Sequence, residues 1–246
     1  MDAYNKLADF IKKSNKITVF TGAGISCASG IPDFRSENGI YNQKYDSLYR
    51  PEEIISHTFF FKHTEDFYDF YCNKMIFPNA KPNKAHLFFA RLQDIPGKEV
   101  SVVTQNIDGL HQKGGSKIVY ELHGSVERNY CTSCNRFYSL DAILKAESVP
   151  KCTVCGEVIK PNVVLYEEPL DEGVWKKAVK AISDSDCMII VGTSLTVYPA
   201  ASFVRYYNGN KLVLINKQRT DYDSVADLVI NEDVVSVVEQ VEKMLF

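Results

Sequence analysis

The chain has 246 residues, of which 45% are hydrophobic, and a formal net charge of -3. This length suits one large domain or two modest ones, and the apolar fraction excludes an intrinsically disordered chain. The small negative charge gives no indication of a nucleic-acid partner.

The amino-terminal sequence MDAYNKLADFIKKSNK predicts an amphipathic helix and lacks the apolar core of a signal peptide. The run from Cys187 to Val204 has no charged residue. Because it contains Gly192 and Pro199, a buried strand that enters a loop is favoured over a membrane span. We therefore expect a soluble, cytoplasmic protein with no membrane partner.

Short apolar, β-branched runs predict strands along the whole chain. They occur at 16–20, 99–104, 117–122, 186–191, 211–215 and 226–230. Helical patterns lie between several of them, for example at 83–93 and 171–182. Continuous apolar strands that alternate with helices are typical of a parallel sheet covered on both faces. The predicted fold class is therefore α/β, with a doubly wound, Rossmann-like sheet.

Two segments interrupt this alternation. Residues 35–80 are rich in Phe and Tyr with helical spacing, and residues 126–157 contain paired cysteines. We predict that they form an inserted smaller domain, a helical module plus a zinc ribbon, with a small apolar core of its own. The Rossmann-like domain then comprises residues 1–34, 81–125 and 158–246.

The motifs CTSC and CTVC contain four of the seven cysteines: Cys131, Cys134, Cys152 and Cys155. Two such pairs form a tetrahedral site for one zinc ion, and four thiolates leave no open position, so the zinc is expected to be structural. Two disulfides are the alternative, which the odd cysteine count and the absent secretion signal disfavour. Cys72 and Cys187 are expected to be small buried hydrophobic residues.

Small and polar residues follow five of the predicted strands, in TGAGIS, QNIDGLH, HGS, GTSL and NKQ. These loops meet at the carboxyl edge of a parallel sheet, where ligands bind. Gly22 and Gly24 permit close approach of the backbone to a phosphate at the start of a helix. Cys27 stands in place of a third glycine, and the acidic residue of a dehydrogenase is missing. The pattern indicates a nucleotide site that is not that of an ordinary dehydrogenase.

The chain contains, in this order, the motifs GAGIS, GIPDFR, TQNIDGLH, ELHG, the two cysteine pairs and GTSLTVYPAA. In the order and spacing of these motifs the chain resembles the sirtuins, the NAD-dependent protein-lysine deacylases, and most closely their compact bacterial or archaeal members. The resemblance extends from about residue 3 to the carboxyl terminus.

The resemblance implies a role for each matched residue. His123 matches the catalytic base, and Asn106 and Ser26 match residues that order the ribose and a water molecule. The residues that match the NAD site are Gly22, Ala23, Gly24, Cys27, Phe34, Arg35, Gln105, Ile107, Asp108, Gly192, Thr193, Ser194, Asn216, Asp233 and Val234. Those that match the acyl-lysine site are Val164, Tyr166 and Glu167.

The implied reaction consumes NAD and an acyl-lysine protein or peptide. The acyl oxygen attacks the ribose C1′ and nicotinamide leaves. The histidine then takes a proton from a ribose hydroxyl, which attacks the imidate carbon, and water completes the reaction. The implied products are 2′-O-acyl-ADP-ribose, free lysine and nicotinamide.

His123 also suits the role of base on physical grounds, because an imidazole titrates near neutral pH. His57, His63 and His86 are expected to be structural, and His111 is expected to be a structural hydrogen-bonding residue.

The chain departs from the sirtuin pattern at several positions. Cys27 replaces a common Ser or Thr, and Glu167 replaces the glycine of a Phe-Gly-Glu segment. Members that prefer succinyl-lysine carry a Tyr-x-x-Arg pair. Here Tyr68 matches the tyrosine, and Tyr71 stands at the position of the arginine. An apolar, aromatic-lined pocket is therefore expected to favour acetyl-lysine over succinyl-lysine.

Two other functions stay open at this point. The chain is alternatively an NAD sensor that uses its zinc ribbon for interactions, or an NAD-dependent mono-ADP-ribosyltransferase. The match of His123 to a catalytic base disfavours the sensor function, because a protein that only binds NAD needs no base. The sequence does not indicate an oligomeric state.

Overall fold

The computed structural model describes residues 2–43 and 48–246. Met1 and residues 44–47, which belong to the predicted segments 1–34 and 35–80, lie outside the described residues. The described strands are β1 (Lys16–Thr21), β2 (Glu99–Thr104), β3 (Val119–Glu121), β4 (Gly124–Cys131), β5 (Phe137–Ser139), β6 (Ile159–Val163), β7 (Cys187–Val191), β8 (Leu212–Ile215) and β9 (Leu228–Ile230).

The described α-helices are α1 (Ala3–Lys13), α2 (Pro51–Ile54), α3 (His57–Lys62), α4 (Thr64–Phe70), α5 (Lys84–Leu92), α6 (Leu110–Lys113), α7 (Leu140–Leu144), α8 (Glu172–Ser183) and α9 (Val234–Leu245). Three 3₁₀ helices cover Ala23–Ser29, Ile40–Asn42 and Ala200–Tyr206, and a π-helical turn covers Tyr71–Met75.

The main sheet has six strands in the order β3-β2-β1-β7-β8-β9. Every neighbouring pair is parallel, with Ile17 of β1 opposite Val100 of β2 and Cys187 of β7. All of the strands therefore end at the same edge. This confirms the parallel α/β sheet that the apolar runs predicted, and each predicted strand is present.

The main sheet is covered on both faces because successive side chains of a strand point to opposite sides. Ile17 and Val19 of β1 pack into one core with α1, α5 and α9, whereas Phe20 packs into another core with α8 and the 3₁₀ helix Ala200–Tyr206. The order of strands and the two helical layers are those of a doubly wound fold.

The long helices begin at side chains that cap them. Asp2 accepts a hydrogen bond from the Asn5 amide at 2.8 Å at the start of α1, and Asp171 does the same for Val174 at the start of α8. A capping residue of this type stabilises a helix by about 1 kcal/mol. These caps fix where the helices start beside the sheet.

A smaller antiparallel sheet has the order β5-β4-β6. Since β6 pairs with β4, this sheet uses residues on both sides of the predicted boundary at 157. Its apolar side packs against α2, α3 and α4 in one core that includes Phe60, Phe67 and Tyr71. This core is larger than the sequence suggested, because the helical module and the ribbon share it.

In the described part of the chain, no helix is both long and apolar enough to cross a membrane. The uncharged run from Cys187 to Val204 forms β7, a loop and part of a 3₁₀ helix.

Candidate functional site

A cavity of about 510 Å³ lies at the carboxyl edge of the main sheet. It falls within the usual range of small-molecule sites. Loops that follow β1, β2, β7 and β8 line it, together with His123 after β3 and Asp233 after β9. The loops that follow the six parallel strands therefore meet at one cavity.

Every residue predicted to act in catalysis, NAD binding or acyl-lysine binding lines this cavity. The set comprises Gly22, Ala23, Gly24, Ser26, Cys27, Phe34, Arg35, Gln105, Asn106, Ile107, Asp108, His123, Val164, Tyr166, Glu167, Gly192, Thr193, Ser194, Asn216, Asp233 and Val234. The structure thus brings the predicted residues together, whereas their individual roles stay predictions.

The glycines of the first loop make a close contact with the loop after β7. A Cβ on Gly24 would lie 2.8 Å from the Gly192 Cα, and a Cβ on Gly22 would lie 2.7 Å from the Thr193 Cβ. The Gly24 amide donates to the Gly192 carbonyl at 2.8 Å. These glycines therefore allow two loops to pack together, in addition to any approach to a ligand.

The first loop continues as a 3₁₀ helix, Ala23–Ser29, and ends at Gly30 in the left-handed conformation with φ of 84°. The sequence predicted an ordinary helix start at this place. The tighter winding directs Ser26 toward the loop after β2, where it meets Asp108.

Ser26, Asn106 and Asp108 form a hydrogen-bonded network on the cavity wall. The Ser26 hydroxyl donates to Asp108 Oδ2 at 2.7 Å and accepts from Asn106 Nδ2 at 3.1 Å. The Leu110 amide donates to Asp108 Oδ1 at 2.8 Å. Each side chain holds its neighbour, so the network presents polar groups to the cavity in a fixed arrangement.

His123 lies at the end of the short strand β3. Its Nδ1 is 2.9 Å from the Gln105 carbonyl oxygen, and a carbonyl can only accept. The ring therefore carries its proton on Nδ1, which leaves Nε2 as an acceptor. Burial lowers the pKa of His123, against the opposing effect of the Gln105 hydrogen bond. The imidazole is thus neutral near pH 7 and able to accept a proton.

Residues 163–168, the segment that contains the predicted acyl-lysine positions, run beside His123. The Val164 amide donates to the His123 carbonyl at 3.0 Å. Tyr166 pairs with Ser56 in a parallel bridge, with its amide bonded to the Ile55 carbonyl and its carbonyl to the His57 amide. The segment therefore places the base and the helical module on the same wall.

Glu167 adopts a left-handed backbone conformation with φ of 76°. Glycine is favoured in this region, which gives a physical reason for the glycine that the sirtuin resemblance implies here. The Glu167 carboxylate accepts a hydrogen bond from the Thr58 amide at 2.8 Å, at the start of α3.

The far side of the cavity is formed by the loops after β8 and β9. Asp233 caps α9 by accepting from the Val235 and Ser236 amides, and it also pairs with Lys217 at 2.9 Å. Asn216 donates from its side chain to the Gln218 carbonyl at 2.8 Å. These contacts fix polar groups that the sequence analysis assigned to the NAD site.

Cys27 belongs to the 3₁₀ helix Ala23–Ser29 and lies close to Asp33. Its thiol lies 3.7 Å from the Ala23 carbonyl and 3.9 Å from Asp33 Oδ2. Burial and the Asp33 charge raise the pKa of Cys27. The thiol is therefore protonated near neutral pH and is a weak hydrogen-bond donor.

The four paired cysteines converge in the ribbon. Their Sγ atoms, on Cys131, Cys134, Cys152 and Cys155, all lie within 4.8 Å of one another. A set of four thiolates at such distances fits one tetrahedral zinc ion. The hydroxyl of Tyr138 donates to Cys152 Sγ at 3.2 Å, which orients that ligand. The site is complete without His123, so the zinc is structural.

Comparison with known proteins agrees with this arrangement. The model of the Sir2 family matches residues 22–199. A protein named NAD-dependent protein deacetylase from Clostridium perfringens is 55% identical over 241 residues, which cover 98% of each chain. This chain belongs to the Sir2 family.

Its Sir2 fold is also that of solved structures. One contains a Sir2 variant with deacetylated p53 peptide and 3′-O-acetyl ADP ribose. It is 40% identical with a TM-score of 0.89, and the match covers 99% of this chain and 98% of that one. Another, described as Sir2 with p53 peptide and NAD+, is 39% identical with a TM-score of 0.85 over the same shares.

The remaining histidines of this Sir2 protein have structural contacts. His57 pairs with Glu168 at 2.8 Å, and His63 stacks on Phe59. His86 accepts from the Asn83 amide at the start of α5, and His111 Nε2 lies 3.0 Å from the Thr21 hydroxyl. The structural interpretation of these four side chains agrees with their positions.

The expectation of an aromatic pocket wall made by Tyr68 and Tyr71 is wrong. Neither residue is among those that line the cavity. Tyr68 donates to the Ile159 carbonyl, and Tyr71 is fully buried in the shared core of the smaller sheet and the helical module. Apolar cavity-lining residues instead come from several elements: Ile40, Ile55, Met75, Phe77, Ile107, Val163 and Leu165.

The sequence reasoning missed several lining residues of this Sir2 cavity. Tyr41 belongs to the sequence NGIY, which begins three positions after the end of GIPDFR, so its position near that motif was a usable signal. Lys217 directly follows Asn216 and was a similar signal. Ile55 and Met75 are ordinary apolar residues of the helical segment, and their sequence pattern does not distinguish them from core positions.

Proposed function

We propose that this protein is an NAD-dependent protein-lysine deacetylase that transfers the acetyl group of acetyl-lysine to ADP-ribose and releases nicotinamide. One observation carries the proposal. A neutral imidazole with a free Nε2, His123, faces a cavity that the glycine loop and the segment 163–168 both line. Relatives named NAD-dependent protein deacetylase at 54% and 55% identity support it.

In this proposal NAD supplies the electrophilic ribose carbon that accepts the acyl oxygen. His123 accepts a proton at Nε2 from a ribose hydroxyl, because its Nδ1 is already committed to Gln105. Ser26, which donates to Asp108, and Asn106, which donates to Ser26, orient the ribose and a water molecule. The pairing of Val164 with His123 sets the acyl-lysine segment beside the base.

The cavity also suits both ligands in kind. Its polar groups come from the loops after β2, β7 and β8, as a nucleotide requires, and its apolar lining includes Ile55, Met75 and Leu165. The methyl of an acetyl group is apolar and suits such a wall, whereas the amide of acetyl-lysine needs a hydrogen-bond partner in the cavity. We place the peptide backbone along residues 163–168, where it would add a strand.

We further propose a division into two domains near the boundaries that the sequence suggested, with β6 joined to the smaller one because it pairs with β4. We also propose a cytoplasmic location. The seven cysteines are all free of disulfides, which is typical of a reducing compartment.

A single assay tests the proposed reaction. The protein is incubated with NAD and an acetylated peptide, and the products are separated by mass. Free lysine peptide together with acetyl-ADP-ribose supports deacetylation. ADP-ribose attached to protein instead supports a transferase, and NAD binding without any product supports a sensor.

The variant His123→Ala identifies the base within the same assay. Loss of a general base lowers the rate by about 10² to 10⁴-fold while both ligands still bind. His63→Ala is the matched control, because His63 is partly exposed and lies outside the cavity. Turnover by His123→Ala close to that of the control would refute the assignment.

A further inference from the structure

Residues 33–43, here called the Asp33 loop, fold largely on themselves. Asp33 Oδ1 accepts from the Arg35 and Ser36 amides at 3.0 and 2.8 Å, and the Asp33 carbonyl accepts from the Ile40 amide at 2.7 Å. The Tyr41 amide donates to the Phe34 carbonyl at 3.0 Å. The loop therefore behaves as one unit, and a contact made by Tyr41 positions Phe34 and Arg35 as well.

Tyr41 also touches both of these neighbours through its ring. The Phe34 ring packs edge-on at 5.4 Å between centroids, and the Arg35 guanidinium lies 5.4 Å from the centre of the Tyr41 ring. Phe34 and Arg35 are the residues of the loop that the resemblance assigns to NAD. Tyr41 thus supports the nucleotide side of the cavity.

The hydroxyl of Tyr41 lies 3.1 Å from the hydroxyl of Tyr166. Tyr166 is held separately, because its amide and carbonyl are bonded to Ile55 and His57 at 3.0 Å each. It belongs to the segment 163–168, which lies against His123. One hydrogen bond therefore joins the nucleotide side of the cavity to the acyl-lysine side, 125 residues apart in sequence.

Burial raises the pKa of Tyr41, and the hydrogen bond to Tyr166 adds to this effect. The Tyr41 phenol is therefore protonated near neutral pH and is able to donate to the Tyr166 oxygen.

We propose that the Tyr41–Tyr166 hydroxyl pair couples the two binding sites, so that a peptide bound along residues 163–168 strengthens binding of the nucleotide against the Asp33 loop. A ligand that orders one partner of the pair reduces the cost of ordering the other. Tyr41 and Tyr166 act here as positioning residues. The identity of the two ligands rests on the proposed function.

The coupling is measured with ligands that do not react together. The dissociation constant of ADP-ribose is determined by calorimetry without and with a saturating acetyl-lysine peptide, and the ratio of the two constants is the coupling factor. A neutral hydrogen bond of usual strength corresponds to about a 2- to 10-fold change in an equilibrium constant. The wild-type factor is expected to exceed one by at least this amount.

Tyr166→Phe and Tyr41→Phe remove one hydroxyl each and keep the ring. Each is expected to lower the coupling factor by about 2- to 10-fold, and the double variant is expected to show no further loss. Tyr206→Phe is the matched control, since Tyr206 lies outside the cavity and packs on Trp175 and Phe203.

An unchanged coupling factor in Tyr166→Phe would overturn the inference, and so would a wild-type factor of one. Losses that add up in the double variant would also overturn it, because they show two independent effects. A wild-type protein that binds neither ADP-ribose nor the peptide would instead refute the proposed function, and the coupling with it. The thermal midpoint of each variant confirms that it is folded.

Discussion

Single atoms decide most of the chemistry in this cavity. The tautomer of His123 follows from one carbonyl at 2.9 Å, and the direction of Ser26 follows from one carboxylate at 2.7 Å. Such effects depend on distances of a few tenths of an ångström. Conservative substitutions that keep the shape of a side chain are therefore the sharpest probes of this site.

Asp108→Asn is the first such probe. The carboxylate accepts from both the Ser26 hydroxyl and the Leu110 amide, and an amide side chain offers only one oxygen for these contacts. The sirtuin resemblance implies that Asp108 contacts the nicotinamide amide, so we expect slower nicotinamide release, by about 10²-fold, and weaker inhibition by added nicotinamide. The measurement is the rate of nicotinamide exchange, with Asp94→Asn on the surface as control. An unchanged inhibition constant would remove Asp108 from this role.

Tyr71→Phe is expected to stabilise the protein. Tyr71 is fully buried, and its hydroxyl has no hydrogen-bond partner in the described part of the chain. A buried polar group without a partner costs about 1–3 kcal/mol, which the phenylalanine avoids at nearly the same volume. The free energy of unfolding in urea should rise by about 1 kcal/mol. A clear decrease would mean that the hydroxyl has a partner, such as a buried water molecule.

At the scale of elements, periodicity predicted the strands of the main sheet well, because each is a short apolar run with a polar loop after it. The helix predicted at 83–93 is α5, which begins at Asn83 as its cap. The 3₁₀ winding of Ala23–Ser29 was not predictable from the residues. It depends on the contact between Gly24 and Gly192, which only the folded chain brings together.

The same limit applies to the site. The residues after the strands were predictable as a set, since parallel strands end at one edge. The apolar residues Ile55 and Met75 were not, because a cavity wall and a core wall have the same composition. Tyr71 shows the converse error, for a sequence match placed it in the pocket although it is in the core.

We expect the ribbon to depend on a bound zinc ion for its stability. We expect one zinc ion per chain, and Cys152→Ala is expected to lose it, because Cys152 is one of the four converging thiols. Loss of a structural metal removes several kcal/mol from the element that it closes. Elemental analysis and the thermal midpoint measure both effects, with Cys72→Ala as the control. Zinc retained by Cys152→Ala would contradict the four-cysteine site.

The cavity wall sets the choice of acyl group. In residues 2–43 and 48–246, the Lys and Arg side chains that line the cavity are Arg35 and Lys217, and Lys217 is paired with Asp233. A succinyl carboxylate against Ile55 and Met75 would lack a cationic partner, at a cost of several kcal/mol. Acetyl-lysine is therefore expected to exceed succinyl-lysine in kcat/KM by at least about 100-fold, measured on one peptide. A succinyl preference would show that Arg35 or another basic side chain reaches the acyl group.

For the whole molecule, two buried histidines make stability depend on pH. Burial lowers the pKa of His86 to about 4 and that of His111 to about 3, and their rings pack at 4.9 Å. Both are neutral in the folded state, whereas the unfolded chain titrates near 6.5. Their contribution to stability is complete above pH 6.5 and is lost as the pH falls from 6.5 toward about 4 for His86 and about 3 for His111.

The free energy of unfolding is expected to fall by up to about 1.4 kcal/mol per pH unit for each histidine in this range. Urea unfolding at pH 7.5 and pH 5.5 measures the loss. His86→Gln removes one titrating group and should show a smaller difference between the two pH values. If the variant and the wild type lose the same free energy of unfolding between pH 7.5 and pH 5.5, other groups, such as His123, cause the loss of stability in acid.

Glu167 has a consequence at the level of the gene. Its left-handed backbone conformation favours glycine, whereas its carboxylate accepts a hydrogen bond from the Thr58 amide. A glycine there would remove both effects, which act on stability in opposite directions. One transition at the second base of the codon converts glutamate to glycine. A lineage can therefore pass between a charged and an uncharged residue on this wall of the cavity in one mutational step.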